Sequence, residues 1–181
     1  MLGRPRGDYR ELSPNDHVNR GQSTNDTYPS ATQVAVLLAL RDLRTSVTVL
    51  AESLERKGTE FAGLTKAGRT HLKDAMPVTL GREFRAYGTA LRHTLEILPG
   101  IEKALAEIPL GGSAVGSGIN SVPGFRARAV EEYARLTRLP LTVARDPFES
   151  MESRWPLAAV SGWLRTLALE LVRIANDLRL L

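Results

Sequence analysis

This sequence predicts an all-α fold of long helices, and three observations carry that reading. Apolar residues recur in alternating steps of three and four along three long segments, which keeps one stripe of a helix facing a neighbour over several turns. Pro29 and Pro156 stand where two of these segments would begin, a position where proline's missing N–H costs nothing. No segment sustains the period-two alternation of a half-buried strand, so strands should be few.

The first stripe runs through Val36, Leu40, Leu43, Val47, Leu50 and Leu54. The second runs through Leu80, Phe84, Tyr87 and Leu91, misses a step at Thr94, and resumes at Leu98, Ile101, Leu105 and Ile108. The third runs through Leu157, Val160, Leu164, Leu167, Leu171, Ile174, Leu178 and Leu181. Pro99-Gly100 should kink or break the second helix. A shorter helix is expected around residues 126–136, with irregular chain at 1–28, 58–78, 109–123 and 137–155. Apolar side chains also lie off the seam, as at Val34, Leu37 and Leu38. A helix that is apolar on more than one face must bury more than one face. Helices of roughly 30–45 Å, at the 1.5 Å rise per residue, have too few neighbours in one small chain. An oligomeric bundle is therefore expected, with a self-contained three-helix bundle as the alternative.

Composition narrows the functional classes. Of 181 residues, 43% are apolar and 24% charged, the balance of a folded chain and not a disordered one. There is no cysteine, so disulfides and thiolate chemistry are excluded. No apolar run approaches the ~20 residues of a membrane span, and residues 1–6 lack a signal-peptide core; a cytoplasmic setting is expected. The net charge of +4 comes from arginines scattered among acids, as in Arg41-Asp42-Leu43-Arg44. That is not the basic stripe with interleaved aromatics of a nucleic-acid binder.

Polar residues cluster in three loops. Residues 15–27 are crowded with amides, hydroxyls and carboxylates and run into the first long helix. Such residues cap helices, but backbone N–H groups at a helix start, joined by Ser23, Thr24 and Asn25, also form a site for a carboxylate. The second cluster, Gly68-Arg69-Thr70-His71-Leu72-Lys73-Asp74-Ala75, sets a histidine among a hydroxyl, cations and a carboxylate. Histidine is the side chain most easily tuned for proton transfer near neutrality, although a histidine in a surface turn needs no such role. No histidine pair has metal-ligand spacing, so no metal site is expected. The third cluster is Gly111-Gly112-Ser113-Ala114-Val115-Gly116-Ser117-Gly118. It lacks the Lys-Ser/Thr ending of a P-loop and the glycine spacing of a dinucleotide fold, and its glycines serve a tight turn or close approach. No cofactor is expected.

With these loops in order between long helices, the sequence resembles the fumarase/aspartase superfamily. Gly21-Gln22-Ser23-Thr24-Asn25-Asp26 is similar to the family's first signature, Gly68 to Ala75 to its second, and Gly111 to Asn120 to its glycine-rich turn. The resemblance covers essentially the whole sequence. It implies a homotetramer with a shared helical core, active sites where subunits meet, and reversible elimination of ammonia or water beside a carboxylate. By motif, Ser23, Thr24 and Asn25 would hold a small dicarboxylate substrate and its amine or hydroxyl. Thr70 and His71, the candidate catalytic residues, would reach it from a neighbouring subunit. Asn15 and Asp16 match a loop that forms a second dicarboxylate site in fumarases, but Ser13 stands where fumarases carry a histidine, which argues against that site.

Threonine in the middle of Ser23-Thr24-Asn25, with Gly7-Asp8-Tyr9 and Asn176-Asp177-Leu178-Arg179, leans towards aspartate ammonia-lyase over fumarase. A noncatalytic helical scaffold of the same family is the reading from another class. Family chains are more than twice this length. The sequence is therefore expected to be an internal piece: residues 1–28 ending an N-terminal domain and 29–181 forming part of the central bundle. The family's serine-lysine loop, which carries the proton-abstracting base, is not among these residues, so the piece alone is expected to be inactive. Lys73, Arg82 and Arg154-Trp155 also depart from the family's usual residues.

Overall fold

The computed structural model describes residue 3 and residues 5–181; of the N-terminal run discussed above, residues 1, 2 and 4 lie outside the described residues. Among the described residues five helices and four short strands follow in the order α1 (Thr24–Glu60), β1 (Thr65–Thr70), β2 (Lys73–Thr79), α2 (Leu80–Ala106), β3 (Glu107–Ile108), α3 (Phe125–Thr137), β4 (Thr142–Val143), α4 (Pro147–Glu152) and α5 (Trp155–Leu180). A single π turn, Pro14–Val18, precedes them. The all-α expectation holds.

Two compact units divide the chain. One joins the residues up to Leu37 with Leu105–Arg154, the other Leu38–Ala104 with Trp155–Leu181. Helices α1 and α2 each pass from one unit into the other.

In the second unit α2 runs antiparallel to both α1 and α5. Arg44 pairs with Glu102 at 3.1 Å and Arg92 with Glu55 at 2.9 Å, so residue numbers rise on one helix as they fall on the other. The Trp163 indole donates to the Thr94 carbonyl at 2.7 Å, and the Arg173 guanidinium lies over the Tyr87 ring. Most of the second stripe is buried as expected, with Tyr87, Leu91, Leu98 and Ile101 in the core, while Leu80 and Phe84 are half-buried. Its apparent defect is filled, because Thr94 is buried too and its hydroxyl donates to the Leu91 carbonyl. On α1 only every second predicted position, Leu40, Val47 and Leu54, is buried. The seam turns the other way, onto Ala51 and Gly58. These small residues let the backbones of α1 and α2 approach closely: a Cβ on Gly81 would lie 2.8 Å from the Ala62 backbone, and one on Gly88 would lie 3.2 Å from the Ala51 carbonyl. On α5, Val160, Trp163, Leu167 and Ile174 are buried, while Leu164, Leu171 and Leu178 remain 41%, 36% and 42% exposed.

The first unit is held by a different device. Strands β3 and β4 pair in parallel, Glu107 opposite Thr142 and Ile108 opposite Val143. The Gln33 side chain donates to the carbonyls of Leu105 and Glu107, at 3.3 and 3.2 Å, securing the end of α2 against the start of α1. Its buried apolar side chains include Val34, Leu37, Leu105, Ile108, Val130, Leu141 and Ala144.

Four expectations need correction. Segment 58–78 is not irregular: it holds an antiparallel hairpin, Thr65 opposite Thr79 and Thr70 opposite Lys73. Apart from Gly68 the hairpin is exposed or half-buried, so apolar alternation could not announce it. Segment 137–155 contains β4 and the short helix α4, capped by the Asp146 carboxylate on the N–H groups of Phe148 and Glu149. The Pro99-Gly100 pair does not break α2, because Leu91, Leu98, Ile101 and Leu105 are buried on either side of it. Nor does Pro29 begin α1, which starts five residues earlier for a reason given below.

The α1–α2 crossing gives a direct test. Gly81→Ala gains helix propensity of about 1 kcal/mol but drives a methyl into backbone that cannot rotate away, an overpacking cost of about 1–3 kcal/mol. Urea unfolding is expected to show a net loss; a stabilised variant would mean that the crossing has slack.

Candidate functional site

Helix α1 begins at Thr24 because Ser23 and Asp26 cap it reciprocally. The Ser23 hydroxyl accepts the Asn25 N–H at 3.2 Å, and the Asp26 carboxylate accepts the Ser23 N–H at 2.9 Å. This is a capping box with aspartate in place of the usual glutamate. The Thr27 hydroxyl reinforces it by donating to the Ser23 carbonyl at 2.8 Å. Ser23 is half-buried, while Thr24 and Asn25 are exposed. The capping function weighed for this loop is therefore real, and Ser23 performs it. Thr24 and Asn25 stand exposed at the positive end of the helix dipole.

Asp26 does more than cap. It has no solvent exposure, and a buried carboxylate without partners costs several kcal/mol. Its other oxygen accepts the N–H groups of Gly111 and Ser113, both at 2.9 Å, bringing the glycine-rich turn to the start of α1. Arg126 of α3 grips the same turn by its carbonyls, donating to Gly111 at 3.3 Å and Gly116 at 2.7 Å. Gly111, with φ +85° and an ideal Cβ 2.8 Å from the Arg126 backbone, admits no side chain. The turn in its turn touches the site: the Asn25 side-chain nitrogen donates to the Ala114 carbonyl at 2.8 Å. Sequence reasoning missed Asp26 and Arg126 as functional positions. The spacing of Ser23 and Asp26 could have signalled the cap, but nothing local could announce a bond across some 85 residues.

Thr70 and His71 belong to the second unit. The hairpin turns tightly, with register partners Thr70 and Lys73 flanking only two residues, His71 and Leu72, at φ +49° and +61°. Positive φ at both central residues is what a two-residue turn needs to match the strand twist. Thr70 and His71 are exposed, and Leu72 is 74% exposed. The histidine is thus presented at the tip of an arm.

Asn15 and Asp16 lie in the π turn, both exposed. Ser13 shapes that turn: its hydroxyl accepts the Asp16 N–H at 3.2 Å and its N–H donates to His17 Nδ1 at 2.9 Å. An accepting Nδ1 places the neutral imidazole's proton on Nε2. The structure thus brings Ser23, Thr24 and Asn25 together, and separately Thr70 with His71. Among the described residues no group of three or more His, Asp or Glu side chains could hold a metal ion, and no helix is long and apolar enough to cross a membrane.

Ser113 offers a second test. It sits at φ +56° with a buried hydroxyl that has no hydrogen-bond partner. Left-handed backbone costs about 1–2 kcal/mol for a residue with a Cβ, and an unsatisfied buried hydroxyl about 1–3 kcal/mol. Glycine's extra chain entropy costs only about 0.5–1 kcal/mol. Ser113→Gly is expected to raise the melting temperature; a lowered one would show that the hydroxyl contributes.

The sequence model of the family described as Lyase matches residues 1–181. A protein named fumarate hydratase class II from Ralstonia nicotianae is 44% identical over 180 residues, covering 99% of this chain and 39% of its own length. A protein named aspartate ammonia-lyase from Pseudomonas aeruginosa is 43% identical over 181 residues, covering 99% and 38%. A solved Brucella melitensis structure, described as fumarate lyase:delta crystallin, superposes with a TM-score of 0.93 at 41% identity, covering 98% of this chain and 39% of that one. The chain therefore spans about two fifths of the length of the relatives it matches.

Proposed function

The chain belongs to the fumarase/aspartase family of lyases, and on that premise we propose that it supplies substrate-binding and proton-handling residues for the reversible elimination of ammonia from L-aspartate to fumarate. The observation that supports this most is the exposed pair Thr24 and Asn25 at the start of α1, with the helix's positive end behind them.

Elimination next to a carboxylate begins with loss of a carbon-bound proton, which builds a second negative charge on that carboxylate. Rate then depends on donors fixed in place before the charge develops. In this reading the Thr24 hydroxyl and the α1 N-terminus hold one end of the dicarboxylate. Thr70 and His71, carried on the hairpin arm of another copy, bind the other end or orient water. Self-association follows the uncovered stripe Leu164, Leu171 and Leu178 on α5, and the assembly is a homotetramer in the cytoplasm. Asn15 and Asp16 take no part in the elimination. No residue of the chain is assigned as the base that removes the carbon-bound proton, so the purified chain alone is expected not to turn over.

Threonine at position 24 supports the amine substrate. Fumarate hydration is the second reading, because relatives of almost equal identity bear that name.

Two experiments test this. These 181 residues, exchanged for the matching segment of the Pseudomonas aeruginosa aspartate ammonia-lyase, are expected to support fumarate formation from aspartate, followed by ultraviolet absorbance. His71→Asn in that chimera should lower kcat/KM by about 10²–10³-fold, the range for losing one fixed donor to the developing charge. Equal or faster use of malate would reverse the choice of substrate. Sedimentation of the chain alone should show species larger than a monomer, and a clean monomer would contradict the role given to the α5 stripe.

A further inference from the structure

We propose that the glycine-rich turn at residues 111–118 is a positioning element for the ligand's donor group, acting through Asn25, with Asp26 and Arg126 as the residues that hold it. This rests on the substrate reading above and deepens it.

The Ala114 oxygen can only accept a hydrogen bond, so the Asn25 group that faces it at 2.8 Å must be the NH2 end of the amide. The amide cannot flip without setting two oxygens against each other. Oδ1 is thereby left as the end that faces away from the turn. It accepts no hydrogen bond from the protein among the described residues. A fixed acceptor beside an otherwise anion-favouring helix start selects a group that donates: an ammonium or a hydroxyl, not a second carboxylate.

The Ala114 carbonyl can set Asn25 only if the turn itself is held. It is held from both sides. Asp26 takes the N–H groups of Gly111 and Ser113, while Arg126 gives to the carbonyls of Gly111 and Gly116. Charge-assisted bonds of this kind are about twice as strong as neutral ones. The same Asp26 carboxylate fixes the Ser23 N–H, so one buried group sets both the start of α1 and the turn that orients Asn25. Asp26→Asn cannot serve both. Its oxygen can stay with the turn or with Ser23, and its NH2 then meets an N–H head on.

The test uses the full chain labelled with ¹⁵N and two probes that differ only by the amine, L-aspartate and succinate. In the unmodified protein the Asn25 side-chain amide is expected to exchange about tenfold more slowly than that of exposed Asn15, the effect of a hydrogen bond of ordinary strength. Asp26→Asn and Arg126→Gln should each remove that protection while the Trp163 indole N–H, bonded to Thr94 in the other unit, stays protected as the folding control. Aspartate should bind about tenfold tighter than succinate to the unmodified chain, and the two should converge in both variants with succinate changed by no more than about twofold. Protection of Asn25 that survives both variants would overturn the proposal, as would equal weakening of both probes, which marks a merely structural role. Failure of both probes to bind the unmodified chain would overturn the substrate reading itself, and is distinguished by the exchange result, which needs no ligand.

Discussion

A carboxylate shut away from water must be given donors, and much of the first unit is arranged around giving them to Asp26. Three backbone N–H groups, from Ser23, Gly111 and Ser113, converge on it. Two of them belong to a turn that could not otherwise lie there, since Gly111, Gly116 and Gly118 all take positive φ. The helix start, the glycine-rich turn and Arg126 are therefore one arrangement, and the exposed Thr24 and Asn25 take their positions from it. Removing the charge removes the reason for the others to be in place.

The second unit obeys a different constraint, that of close approach. Ala51, Gly58, Gly81 and Gly88 let two helices meet at backbone distance, and the Thr94 carbonyl receives the Trp163 indole in the interior. One face of α5 is satisfied within the chain, while Leu164, Leu171 and Leu178 lie on another that is not. A helix with two apolar stripes must bury both, and on the oligomeric proposal the second is covered by other copies. The hairpin is anchored within its own unit, Lys66 pairing with Glu83 at 3.0 Å and Arg69 donating to the Leu180 carbonyl at 3.3 Å, while its tip, with His71, is left exposed.

Much of this was legible from residues alone, and the failures have physical reasons. The stripe Tyr87, Leu91, Leu98, Ile101 stood out because large apolar side chains mark it. The seam of α1 was read one position off, because Ala51 and Gly58 are too small to register as apolar anchors although they make the contact. The hairpin was invisible to periodicity because almost none of it is buried, and Pro99 was given too much weight against a core that holds α2 on both sides. At the site, motif resemblance named Ser23, Thr24, Asn25, Thr70 and His71. It passed over Asp26 and Arg126, whose partners are distant in the chain and mostly backbone. Side chains that bind backbone leave no complementary residue type for a reader of sequence to find.

The central claim is that the start of α1, set by Asp26 and the turn, receives the amine of a small dicarboxylate. A crystal structure of the assembled protein with L-aspartate tests it most directly. The account predicts the ligand's nitrogen within hydrogen-bond distance of Asn25 Oδ1, with His71 of another copy at the opposite carboxylate. A carboxylate oxygen facing Oδ1, or aspartate bound away from the α1 terminus, would contradict it.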